Sequence, residues 1–110
     1  MKSERLQQLF QFLKQAPNDS FTLYSIAYEY LNEGDVAQAL EYFTQLRMKD
    51  PEYVGLYYHL GKAYEQIGEA EEAFSAYDDG LRIAQRQHDL HAFQELQRAK
   101  QQALDEMEDW

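Results

Sequence analysis

A single interval, 34 residues, recurs along this chain. It separates Pro17 from Pro51, Tyr24 from Tyr58, Tyr30 from Tyr64, Gly34 from Gly68 and Ala39 from Ala73. The conservative pairs Ile26/Leu60, Ala27/Gly61 and Phe43/Tyr77 fall at the same shift. A period of this length marks stacked supersecondary units, because one unit cannot bury its apolar face alone and its neighbours must cover it. Within each period the apolar residues stand three and four apart, which is helical spacing. Leu23, Ile26, Ala27, Tyr30 and Leu31 form one stripe, and Val36, Ala39, Leu40, Phe43 and Leu46 the next. Gly34 lies between them, where a left-handed backbone can end a helix, and Asp35 follows in position to cap the next one. Gly68 repeats the device, with Glu71 and Glu72 in a first turn whose helix dipole favours negative charge. Asp19 or Ser20 is placed to cap the first helix of the pair.

Composition agrees with a chain that is helical nearly throughout. Two prolines and five glycines in 110 residues leave little room for loops, and Ala, Leu, Glu and Gln are good helix formers. Cysteine is absent, which removes disulfides, thiolate metal ligands and a cysteine nucleophile. No apolar run reaches the roughly 18–20 residues a bilayer demands, and the amino terminus lacks the order of a signal peptide. A cytoplasmic protein is the expectation. The formal net charge is −10, and about eight of those charges fall in residues 51–110, through runs such as Glu69, Glu71, Glu72 and Asp105, Glu106, Glu108, Asp109. Phosphate backbones would be repelled, and basic residues interleaved with aromatics are missing, so nucleic acid is not an expected partner. A solvated acidic face, a docking surface for a basic partner and adaptation to a high-salt interior all fit such a balance.

The residues at the repeat positions resemble those of the tetratricopeptide repeat family, whose pattern runs W-x2-L-G-x2-Y, then A-x3-F, then P. Residues 54–87 read Tyr57-x2-Leu60-Gly61-x2-Tyr64 and Ala73-x3-Tyr77, and residues 20–53 read Leu23-x2-Ile26-Ala27-x2-Tyr30, Ala39-x3-Phe43 and Pro51. Gly80 departs from the family's usual Ala and Gln85 from its Pro, so the helix before Gln85 is expected to run a turn longer. The resemblance implies an all-α fold, a right-handed solenoid of helical hairpins with about six helices, over one domain spanning residues 1–110. The helices are expected near 3–16, 20–33, 36–49, 54–67, 70–86 and 89–107. Residues 3–16 then cap the first repeat (20–53), with Leu6, Leu9 and Phe12 one period before Leu40, Phe43 and Leu46. Residues 89–107 cap the second (54–87), with Leu90, Phe93, Leu96, Ala99, Ala103 and Met107 at helical spacing. Ala27, Gly61, Ala39 and Ala73 mark the closest approach of paired helices, so a large residue such as leucine at Gly61 is expected to overpack and lower the melting point.

Function in the family usually lies on the concave surface formed by the first helix of each hairpin. The positions that face this groove are Phe21, Tyr24, Tyr28, Leu31 and Asn32 in the first repeat, and Gly55, Tyr58, Lys62, Glu65 and Gln66 in the second. Tyr24, Tyr28 and Tyr58 make an aromatic strip with Lys62 beside it and His59 on an adjoining face. Tyrosine offers large apolar area at low entropic cost and a hydroxyl for hydrogen bonding, which suits a peptide or protein partner. Self-association into a homo-oligomer through the same strip or the terminal helices is the alternative. The carboxylate clamp of chaperone-binding members is not expected: Tyr24 and Tyr28 stand at positions where that clamp has Lys and Asn, and a third repeat is missing. His88 and His91, with Asp89 and Glu95, have a spacing open to a metal, but a solvated helix start accounts for them as well. No nucleophile with its base, cofactor motif or phosphate loop is visible, so the expectation is a scaffold without catalysis, cofactor or metal.

Overall fold

The computed structural model describes residues 3–108, so Asp109 of the acidic run lies outside it. Six α-helices and no strand occur among these residues: α1 (Glu4–Gln15), α2 (Ser20–Asn32), α3 (Val36–Lys49), α4 (Gly55–Gln66), α5 (Ala70–Gln87) and α6 (Leu90–Glu108). The all-α hairpin architecture expected from the period is therefore present. Two compact units divide the chain, Met1–Tyr53 with α1 to α3 and Val54–Trp110 with α4 to α6.

In the first unit α2 and α3 form the hairpin. Their touching faces carry Ala27 and Ala39, both fully buried, between Leu23, Ile26, Phe43 and Leu46. Each of those larger side chains contributes about 1.5–3 kcal/mol by leaving water. Helix α1 packs on α2 through the fully buried Leu6 and an Arg5–Glu29 ion pair of 2.8 Å. Its inner face differs from the one expected from the 34-residue shift. Phe12, aligned with the buried Leu46, is 53% exposed, whereas Phe10 sets its ring 6.4 Å from that of Tyr30 and 5.9 Å from that of Tyr42. The shift assumed that α1 lies on its neighbours as α3 does; the packing is instead set by the aromatic pair Tyr30–Tyr42, stacked at 5.9 Å, which selects Phe10.

In the second unit α4 and α5 form the hairpin and α6 packs on both. Two glycines fix how closely they approach. A Cβ on Gly61 would run into ring carbons of Tyr77, and one on Gly80 would stand 2.6 Å from the Tyr57 Cβ and 3.0 Å from a Leu96 methyl. Both contacts, and above all the one to the Tyr57 Cβ, explain why glycine replaces the usual alanine at position 80: α4 and α6 both press on that point. Leu96, Ala99 and Ala103 are the buried stripe of α6, while Leu90 and Met107, expected on the same stripe, are 67% and 50% exposed. They lie at the two ends of the helix, where the hairpin covers them only in part. An ion pair of 2.8 Å between Lys100 and Asp78 ties α6 to α5.

Three helices end in the same way. Asp35 N–H donates to Tyr30 O, Glu69 N–H to Tyr64 O and Asp89 N–H to Ala84 O, each at 2.9 Å. This six-to-one closure satisfies carbonyls that the helix leaves open and requires a left-handed residue just before its donor. Gly34 (φ 84°) and Gly68 (φ 75°) supply it after α2 and α4, and His88 (φ 56°) supplies it after α5. The next helix starts at once. Asp35 accepts from Gln38 N–H at 3.2 Å and Asp89 from Ala92 N–H at 3.0 Å, while Asp19, rather than Ser20, caps α2 through Thr22 N–H and the Thr22 hydroxyl. With Gln85 in place of proline, α5 runs on to Gln87, giving 18 residues against the 14 of α3. No helix among the described residues is long and apolar enough to cross a membrane.

Candidate functional site

The outward side of α2 carries a row of aromatic rings. Phe21, Tyr24 and Tyr28 follow at intervals of three and four, one above the next on a helix face. Ring centroids lie 6.4 Å apart for Phe21–Tyr24 and 6.2 Å for Tyr24–Tyr28, the latter pair stacked at 15°. Phe21 is 62% exposed and Tyr28 37% exposed, which is unusual for rings that could bury themselves at little cost. Tyr53 joins the row with its ring 5.5 Å from Tyr24. Its hydroxyl is held above the ordinary phenol range, first by burial and then by the nearby carboxylates of Asp19 and Asp50. Asp50 is itself engaged, accepting from the Ser20 hydroxyl at 2.6 Å. Tyr53 was not legible as a site residue, because it stands one period after Asp19 and follows no aromatic pattern.

Helix α4 presents a second, smaller group. Lys62 Nζ sits 5.6 Å from the centre of the Tyr58 ring and 3.8 Å from a Glu65 oxygen, so its charge is shared between an aromatic face and a carboxylate. His59 meets Tyr58 edge to face at 5.1 Å. Burial lowers its imidazole below the usual 6.5, which keeps it neutral at neutral pH. Glu65 also accepts a hydrogen bond from the Tyr77 hydroxyl.

The other sequence-derived positions differ in what they offer. Asn32 and Gln66 are exposed near the ends of α2 and α4, and Gly55, also exposed, opens α4. Leu31 is buried and belongs to the core of its hairpin. His88 is the left-handed closing residue of α5 and Asp89 caps α6, while His91 pairs loosely with Glu95 at 3.9 Å on the surface. Among the described residues no three His, Cys, Asp or Glu side chains are arranged to hold a metal.

Helical hairpins of this geometry define a class of repeat proteins, and comparison with known proteins identifies it. The tetratricopeptide repeat family model matches residues 30–99, and the chain belongs to that family. A TPR repeat-containing protein of Bacillus subtilis, YpiA, is 31% identical over 75 residues, which is 68% of this chain and 18% of YpiA. The chain thus spans under a fifth of that relative's length. The crystal structure of a tetratricopeptide repeat domain protein from Salinibacter ruber superposes with a TM-score of 0.75 at 39% identity, over 79% of this chain and 97% of that one. The type III secretion translocator chaperone SycD of Yersinia enterocolitica shares the fold alone, with a TM-score of 0.83 at 12% identity over 94% of this chain and 72% of its own. Tetratricopeptide repeats generally mediate protein–protein interaction.

Proposed function

We propose that this chain is an interaction module that holds a segment of another protein against the aromatic face of α2, while Tyr58 and Lys62 of α4 offer a separate contact surface on the second unit. The observation that carries this reading is the row of adjoining rings Phe21, Tyr24 and Tyr28, exposed at Phe21 and Tyr28. Rings held in series by their neighbours have little rotamer freedom left to lose, so a partner gains their area without ordering them first. Asn32 and Gln66 supply amides at the ends of these surfaces for the partner's backbone. The family's members are typically scaffolds without catalysis, and nothing in this reading needs a cofactor.

Recovery of partners from the source cell by the native chain and by the Tyr24→Ala/Tyr58→Ala chain tests it. Both proteins are first shown to be equally helical. Partners retained by the native chain and lost from the double variant support the surface named here; equal recovery sinks it. Self-association through the same rings is the competing reading, and light scattering across a concentration series separates the two. A particle that stays monomeric leaves the α2 row for a different protein, whereas growth abolished by Tyr24→Ala would assign the row to a second copy.

A further inference from the structure

In the second unit α6 is not held equally along its length. Near its start Leu96 presses against Gly80, but towards its end the inward residues are small and a cleft of about 460 Å³ opens between α6 and the turn joining α4 to α5. Ala73 and Ala103 form its deepest part, and Ala70, Phe74 and Met107 continue the apolar lining outward. The charged groups on its lining are two carboxylates, Glu65, which is already engaged by Lys62 and the Tyr77 hydroxyl, and Glu106. The segments that flank it, Glu69 to Glu72 and Asp105 to Glu108, add further acids and no lysine or arginine. Such a cleft has the size of a ligand site and an excess of negative charge around it.

We propose that this cleft receives an apolar side chain from a cationic protein segment, one in which lysine or arginine flanks a leucine-sized residue. The alanines leave room that a larger core residue would have filled, so burying an apolar group there removes area from water on both sides. The flanking cations then meet Glu106 and the acids of the flanking segments, Glu69 to Glu72 and Asp105 to Glu108. A neutral segment would gain nothing from the acids that surround the cleft, and the same charges repel nucleic acid, anionic lipid and a second copy of a chain carrying −10. This site lies on different helices from the aromatic row of α2 and does not rest on that reading.

Met107 makes the site observable. The chain has three methionines, and Met48, 81% exposed in the other unit, serves as an internal control. Protein labelled at the methionine methyls is titrated with a short acetylated peptide that alternates leucine with lysine, and with the counterpart that carries glutamate for lysine. The lysine peptide is expected to shift the Met107 methyl but not that of Met48, and to bind about tenfold more weakly to Glu106→Lys protein and in high salt. Glu106 is exposed, so this variant keeps its fold, and Ala70→Phe, which fills the cleft, provides a second block. Tyr24→Ala protein keeps the Met107 shift, so failure of the α2 surface leaves this result standing. Equal binding of the glutamate peptide, an unmoved Met107 methyl, or undiminished affinity in Glu106→Lys protein would overturn the proposal.

Discussion

Single residues in this fold are constrained by contact more than by propensity. Alanine at position 80 would improve the helix by about 1 kcal/mol relative to glycine. The cost of forcing a Cβ to within 2.6 Å of the Tyr57 Cβ is larger, because that neighbour is backbone-anchored and cannot swing away. Gly80→Ala is therefore expected to lower the thermal midpoint by roughly 4–8 °C, an outcome that calorimetry reads directly. Tyr77 gives a second prediction. Burial, followed by the hydrogen bond to Glu65 and the charges of Glu65, Tyr58 and Glu106, raises its hydroxyl far above the ordinary phenol value of 10.0. A group raised in the folded state contributes its full stability below pH 10.0, and loses it as pH climbs from there towards the folded value, since the unfolded chain releases the proton first. Urea midpoints are expected to fall steeply above that pH in the native chain. In Tyr77→Phe protein the decline is shallower, by up to about 1.4 kcal/mol for each pH unit.

At the scale of helices, the sequence was most informative where its period was strict. The extents of α2 to α5 follow from stripes that repeat at three and four, and the turns between paired helices from Gly34 with Asp35 and from Gly68. The outer helices were less legible, for a physical reason. α1 and α6 have no repeated copy to calibrate their facing, so the choice of Phe10 over Phe12, and the exposure of Leu90 and Met107, depend on neighbours that a pattern does not contain. The cleft was invisible for the same reason: Ala70, Ala73 and Ala103 read as packing residues until their common surroundings are known. One ending also departs from its own rule. His88 takes the left-handed conformation at a cost that glycine avoids, about 1–2 kcal/mol for a residue with a Cβ, part of which glycine returns through its freer unfolded state. His88→Gly is expected to stabilise the chain by about 0.5–1 kcal/mol in denaturant titrations, with no change in far-ultraviolet helicity.

For the molecule as a whole, charge is the dominant global term. A net charge of −10 on 110 residues works against compaction, and salt screens it over a Debye length of about 10 Å at 0.1 M. The thermal midpoint is accordingly expected to rise as sodium chloride is added from low concentration, and a flat response would show that the charges lie too far apart to matter. The shared closure of α2, α4 and α5 has a consequence for how the chain is made. Each stop is written within six consecutive residues, and the α2–α3 and α4–α5 pairings join neighbours in the sequence. Structure of such low contact order forms quickly and needs nothing from chain still to be synthesised. A ribosome delivering this protein would release the α2–α3 hairpin complete, turn and caps included, while α6, which must find α4 across the whole of α5, docks last.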